Sequence, residues 1–95
     1  MNQYLMINHG VGTPAKWAEY FEMLQAGGHV IGGSSLDENA ALSLKGNVFA
    51  DAISKTITGY IVIKAADLKT AKRIMAQSPI HQAGGTVELF PLVES

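Results

Sequence analysis

The fold of this chain is decided by residues 57–75, which read ITGYIVIKAADLKTAKRIM. The first part, Ile57–Lys64, is rich in β-branched and aromatic residues and predicts a strand. Asp67 follows as the N-cap of a helix, because its short carboxylate accepts hydrogen bonds from the first free N–H groups. Apolar residues then recur at the spacing that places them on one helical face. They are Leu68, Ala71, Ile74 and Met75.

A second strand and helix open the chain. Residues 3–8 predict a strand, and Thr13 predicts the N-cap of the following helix. Pro14 suits the first helical position, where its missing N–H removes no bond. Gly27-Gly28 ends the helix, because glycine readily takes the left-handed conformation used at helix ends. The apolar stripe of this helix predicts core residues and, secondarily, pocket lining. It consists of Trp17, Tyr20, Phe21 and Leu24.

The middle and the end of the chain add further strands. A strand begins at Val30-Ile31, and Gly32-Gly33 predicts a bulge within it. A hairpin is predicted around Gly46-Asn47, and residues 86–92 predict the last strand. The order predicts an α+β, ferredoxin-like βαββαβ fold with an extra hairpin. Its antiparallel sheet has the order 4-1-3-2, with two helices on one face.

Length and composition indicate a single domain over residues 1–95. With 47% hydrophobic and 16% charged residues the chain forms a core, and the lack of cysteine excludes disulfides and thiolate chemistry. The net charge of −1, without a basic stripe, argues against nucleic-acid binding. No signal peptide or membrane-length apolar run is present, so the expectation is a soluble, cytoplasmic protein without membrane contact.

The predicted strands are apolar on both faces. Every position of Tyr4–Ile7 and of Tyr60–Ile63 is apolar, whereas an antiparallel sheet covered by helices on one face is usually polar on the other. A second copy of the chain is the simplest cover for the second face. The pattern therefore predicts a homodimer and leaves higher assembly open.

Three residues are predicted to gather at one rim of the sheet. His9 ends the first strand, while Asp51 and His81 precede the third and fourth long strands, which begin at the same edge. A histidine beside a carboxylate is a plausible general base, so these three are the candidate catalytic residues. His29 is expected at the opposite rim. The alternative, that all three are ordinary loop residues, stays open.

No cofactor and no metal are predicted. Residues 10–15, GVGTPA, formally match a dinucleotide-binding fingerprint. The chain is too short for two mononucleotide-binding halves, however, and Pro14 removes an N–H that would bind phosphate. The adjacent acidic pair Asp37-Glu38 lacks further ligands at metal spacing and indicates a solvated turn.

The last third of the chain resembles the YCII-related family. The resemblance is carried by residues 58–63 (TGYIVI), 66–71 (ADLKTA), 78–80 (SPI) and 84–92 (GGTVELFPL). It implies a ferredoxin-like fold, a dimeric α+β barrel with facing sheets, and a poorly defined biochemical role. Some members of that family carry a histidine on the first helix as half of a catalytic dyad, and Trp17 stands at that position here. Asn47-Val48-Phe49-Ala50 replaces the Asp-Gly-Pro-Phe motif of a related branch.

Two functions follow as hypotheses. The first is binding or transformation of a small metabolite in a pocket between the sheet and the helices. The predicted pocket lining is Tyr4, Met6, Trp17, Tyr60 and Phe90. The alternative is a non-catalytic dimeric interaction or regulatory module. A well-formed apolar cavity with convergent polar groups favours the first, and a filled core favours the second.

Overall fold

The computed structural model describes residues 2–93. Six strands and three helices form within that range. In chain order they are β1 (Asn2–His9), α1 (Pro14–Ala26), β2 (Val30–Ser35), β3 (Leu42–Lys45), β4 (Val48–Asp51), β5 (Ile57–Ala65), α2 (Leu68–Ala76), α3 (Pro79–Gln82) and β6 (Thr86–Pro91). None of the helices within residues 2–93 combines the length and the apolar character needed to cross a bilayer.

The four long strands form one antiparallel sheet in the order β2-β5-β1-β6. Counted along the chain as strands one to four, this is the predicted order 4-1-3-2 of a ferredoxin-like fold. The α+β prediction is therefore confirmed. A register shift between Val30 and Gly32 is the predicted bulge in β2. The hairpin also forms, but β3 and β4 make a separate two-stranded sheet.

Both long helices begin at the predicted caps. The Thr13 hydroxyl accepts a hydrogen bond from the Lys16 N–H at 3.3 Å, and the Asp67 carboxylate accepts one from the Thr70 N–H at 2.8 Å. The hydrogen bonds from the Thr70 backbone and side chain lower the pKa of Asp67. Each cap satisfies an N–H that the helix itself leaves without a partner.

A proline follows shortly after the end of α2. The helix ends at Ala76, and Pro79 begins the short α3. Ser78 caps α3, because its hydroxyl accepts a hydrogen bond from the Ile80 N–H at 3.2 Å. Proline is well suited to a first helical position, so the same residue that cannot continue one helix starts the next. Leu68 is also 47% exposed rather than buried, since it lies in the first turn of α2.

The core lies between the helices and one face of the sheet. Its buried members are Tyr4, Met6, Tyr20, Leu24, Ile61, Ile63, Ala65, Ala71 and Ile74. Tyr20 joins the two long helices, because its hydroxyl donates to the Ile74 carbonyl of α2 at 2.8 Å. Burial raises the pKa of Tyr20 well above its ordinary value of 10.0. The side chain is therefore a neutral hydrogen-bond donor inside the core.

The opposite sheet face is lined by apolar side chains. Register and alternation place on it Leu5, Ile7, Tyr60, Val62 and Phe90. We call this set the helix-free face. Its members are half-buried or exposed, whereas the alternating residues of β1 and β5 are buried against the helices. The sheet is thus apolar on both sides, as the strand composition indicated.

Gly33 is expected to be intolerant of a side chain. A Cβ atom at Gly33 would lie 2.5 Å from the Tyr60 carbonyl oxygen, whereas one at Gly32 would meet nothing within 4 Å. Gly33→Ala should therefore lower the free energy of unfolding by about 1–3 kcal/mol, because β2 must move away from β5. Thermal denaturation monitored by circular dichroism measures this, with Gly32→Ala as the matched control. Equal melting temperatures for the two variants would contradict the strand geometry.

Candidate functional site

A cavity of about 540 Å³ opens between α1 and the half of the sheet formed by β2 and β5. The end of β1, the loop after it and Ile80 of α3 complete its walls. Its volume falls within the range of small-molecule sites. The cavity therefore lies where the sequence predicted a pocket, between the sheet and a helix.

Aromatic side chains of α1 form one wall. Trp17 and Phe21 both line the cavity and stack with their ring centroids 5.6 Å apart and their planes 26° from parallel. Tyr20 packs edge-on against Trp17 at 5.9 Å from within the core. The predicted apolar stripe of α1 thus divides between two environments. Tyr20 and Leu24 are buried in the core, whereas Trp17 and Phe21 give the cavity a flat apolar surface.

Small residues of β2 and β5 leave the space that the cavity occupies. In the sheet register Gly33 lies opposite Ile61 and Ser35 opposite Gly59, and Gly59 and Ile61 lie on the helix-covered face. Large side chains at Gly33, Ser35 and Gly59 would fill the gap beneath α1. All three residues line the cavity instead. The cavity therefore follows from residue size in the strands.

Asn8 supplies a buried polar group. It lines the cavity, is only 3% exposed, and its side-chain Oδ1 accepts no hydrogen bond from any of residues 2–93. A buried polar atom that is left unsatisfied costs roughly 1–3 kcal/mol. Such groups are rare in native proteins and often mark functional positions. The Asn8 oxygen is thus a ready acceptor for a donor group of a bound molecule.

Ionisable side chains are nearly absent from the cavity lining. Of the described residues that line it, only Tyr60 carries a titratable side chain. Polar groups are supplied by Asn8, Gln25, Ser34, Ser35 and Thr58. Burying an unpaired charge in such surroundings is costly. The cavity therefore favours a neutral molecule.

The predicted pocket residues lie in three places. Trp17 lines the cavity. Tyr60 borders it as a residue of β5, although the register places the Tyr60 side chain on the helix-free face. Tyr4 and Met6 lie in the core, at 4% and 0% exposure, beneath the helices. Phe90 lies on the helix-free face of β6 and is 46% exposed. The alternation of side chains along a strand separates them, because Phe90 pairs with Leu5 rather than with Tyr4.

His9 has two hydrogen-bond partners at the rim of the sheet. Its Nε2–H donates to the Glu88 carboxylate at 2.5 Å, and its Nδ1 shares a hydrogen bond with the Thr56 hydroxyl at 2.7 Å. The His9 side chain is 19% exposed and that of Glu88 is 48% exposed. A histidine held between a carboxylate and a hydroxyl has the arrangement of an oriented base. His9 is not among the residues that line the cavity.

Asp51 and His81 occupy separate surroundings. Asp51 ends β4, where its backbone carbonyl accepts the Ser43 hydroxyl, and it is exposed. His81 lies in α3 beside Met75 and Val87. The strand ends do meet at one edge, since His9 pairs with both Ile57 and Thr86. The carboxylate that contacts His9 nevertheless comes from β6, because the hairpin carries Asp51 on a sheet of its own.

His29 hydrogen-bonds at the other end of β5, where its Nδ1 lies 2.9 Å from the Lys64 carbonyl.

Comparison with known proteins shows the fold. No protein-family model matches the chain, and no curated protein matches it either. Among solved structures it is similar to 5-chloro-2-hydroxyhydroquinone dehydrochlorinase from Burkholderia phenoliruptrix AC1100, in complex with 2,5-dihydroxybenzoquinone. The TM-score is 0.58 at 15% sequence identity, over 98% of this chain and 95% of that one. The likeness establishes a shared ferredoxin-like α+β architecture along the whole chain.

Asn8 is expected to reduce the stability of the empty protein. Asn8→Leu replaces an unsatisfied buried amide by an apolar side chain of similar volume, so the free energy of unfolding should rise by about 1 kcal/mol. Chemical denaturation measures the change. Asn2→Leu, at the exposed start of the same strand, is the matched control and should stay within about 0.5 kcal/mol of wild type. Destabilisation by Asn8→Leu would show that the amide has a structural partner.

Proposed function

We propose that the cavity beneath α1 binds a small, neutral, planar molecule, of the hydroxylated aromatic or quinonoid class. The observation that carries the proposal is Asn8, which borders the cavity and whose buried amide oxygen accepts no hydrogen bond from residues 2–93. A ligand with an O–H or N–H group satisfies it. The same ligand would replace the hydration of a largely apolar wall.

The shape of the cavity supports a flat ligand. The Trp17 and Phe21 rings stack with each other, so a third ring can extend the stack from within the cavity. Aromatic pairs contribute about 0.5–1.5 kcal/mol beyond the area that they bury. A ring that packs there lies within the same cavity as Asn8. The dehydrochlorinase of similar fold, in complex with 2,5-dihydroxybenzoquinone, supports a ligand of this chemical class by analogy.

The cavity supports binding more directly than acid–base catalysis. Its described lining holds no histidine or carboxylate, and general acid–base chemistry requires a proton-transferring group within hydrogen-bond reach of the substrate. The catalytic hypothesis for His9, Asp51 and His81 is therefore restricted to His9 and the carboxylate beside it. We propose His9 as the base and Glu88, rather than Asp51, as the carboxylate that orients it. We also propose that the chain belongs to the YCII-related family and that it is located in the cytoplasm.

Tryptophan fluorescence tests the proposed ligand class directly. The chain contains one tryptophan, Trp17, and it lines the cavity. Titration with hydroquinone, which is neutral at pH 7 and keeps its O–H groups, should change its emission saturably. Asn8→Leu should weaken binding at least tenfold, because the site loses its hydrogen-bond acceptor. Asn2→Leu should bind as wild type does.

A control ligand and a second method complete the titration. p-Xylene has the size of hydroquinone but no donor group, so Asn8→Leu should not weaken its binding. Isothermal titration calorimetry provides a readout that is free of optical absorption by the ligand. A wild-type protein that shows no saturable binding to any of these rings refutes the ligand class, and equal affinities of wild type and Asn8→Leu refute the role of Asn8.

The alternative function is a non-catalytic dimeric module, and the helix-free face favours it. Five apolar side chains lie side by side on this face, and contiguous apolar surface on soluble proteins marks interaction sites. We propose that a second copy of the chain covers it, with the two sheets about 10 Å apart. Dimerisation is compatible with ligand binding, since the cavity opens on the other side of the sheet.

Val62→Lys is expected to disrupt this dimer. Val62 lies on β5 between Leu5 and Gly32 of the neighbouring strands, so a lysine there would place a charge in the middle of the interface. Light scattering at micromolar concentration should show a wild-type dimer and a Val62→Lys monomer. Leu68→Lys is the matched control, because Leu68 is exposed at the start of α2. A monomeric wild type would refute the dimer.

A further inference from the structure

The hairpin of β3 and β4 stands apart from the rest of the fold. Its two strands pair only with each other, and no other helix or strand of residues 2–93 packs on it more than marginally. An isolated two-stranded hairpin is at best marginally stable in water. The hairpin therefore needs a surface against which to pack.

One face of the hairpin is apolar. The register sets Leu44 opposite Phe49 and Leu42 opposite Asp51, and residues directly opposite each other share a face. Leu42, Leu44 and Phe49 are 70%, 57% and 70% exposed on that face. The other face carries Ser43, Lys45, Val48 and Ala50. The hairpin thus has a side on which three apolar residues adjoin, with Asp51 at its end, and residues 2–93 leave this side open.

We propose that the apolar face of the hairpin packs against a second copy of this chain, as an exchanged arm. The apolar face of the hairpin is exposed in the folded chain unless another surface packs against it. Other copies of the same chain are always available for that contact. In a two-fold dimer each copy both gives and receives an arm, so both hairpins are covered at once. The inference rests on the self-association proposed for the helix-free face and extends it to a second contact region.

The position of the hairpin supports the exchange. Its connections leave the sheet after Ser35 and return before Ile57, at the edge where β1 ends. The chain is a slab of 44 × 35 × 18 Å with helices on one side of the sheet. A second copy on the helix-free face would cover the side of the sheet that has no helices. An arm at the border of that face can then reach the added copy without a long linker.

The apolar area available for an interface also favours an exchanged arm. A stable interface buries about 800 Å² on each partner, and several side chains of the helix-free face are already half-buried within the subunit. A fully exposed aromatic side chain offers about 150–250 Å². Phe49, at 70% exposure, therefore offers on the order of 100 Å² or more, and Leu42 and Leu44 add to it. The hairpin adds exposed apolar surface to that of the sheet face.

Photocrosslinking between isotopically distinct copies tests the exchange. Unlabelled chain with benzoylphenylalanine in place of Phe49 is mixed with an equal amount of ¹⁵N-labelled wild-type chain, allowed to exchange and irradiated. Crosslinked peptides that join light and heavy chains are expected in quantity. The same photoreactive residue in place of Val48, on the opposite hairpin face, is the matched control and should give few. Crosslinks confined to single chains overturn the proposal.

Dimer affinity provides a second measurement. Sedimentation equilibrium should show a dissociation constant at least tenfold higher for the Leu44→Ser, Phe49→Ser double variant, and a change of less than threefold for Val48→Ser. If Val62→Lys dissociates the dimer but the double variant does not, the sheet-face dimer stands and the arm is refuted. A monomeric wild-type chain refutes both. Ligand binding beneath α1 is measured separately by fluorescence, so its outcome is independent of these results.

Discussion

The rest of the structure depends on the hydrogen-bonded position of β1, which pairs along both of its edges. It is antiparallel to β5 on one side and to β6 on the other. A strand fixed by two ladders cannot slip by one residue without exchanging the faces of all its side chains. Alternate residues are therefore committed to different surroundings. Asn8 is held beneath the helices beside the cavity, and His9, the next residue, is held on the other face.

The succession of elements along the chain and the helix starts could be predicted because their signals are local. Thr13 and Asp67 are capping residues at the right distance before an apolar stripe, and each caps a helix in the structure. The hairpin turn at Gly46-Asn47 is equally local. The short α3 was not predicted, because a proline such as Pro79 stops one helix and also suits the start of another. Which role it takes depends on Ser78, whose hydroxyl caps α3.

The candidate site was only partly predictable, since it depends on register. Trp17 follows from helical spacing, and it lines the cavity. Asn8 is visible in retrospect as a polar residue in the alternation of Tyr4 and Met6, although nothing local indicates that its amide oxygen lacks a partner. Glu88 contacts His9 across 79 positions of sequence. That contact requires the pairing of β1 with β6, which brings Glu88 opposite Ile7.

The unsatisfied Asn8 oxygen has a consequence for the lifetime of the protein. A molecule that binds only the folded state shifts the folding equilibrium toward it by mass action. An empty chain with a buried unsatisfied amide is closer to the stability threshold, where proteases remove the unfolded fraction continuously. If the proposed ligand binds beside Asn8, the amount of protein in a cell would rise and fall with the supply of that ligand. One amide could thereby couple degradation to metabolite concentration without a separate regulator.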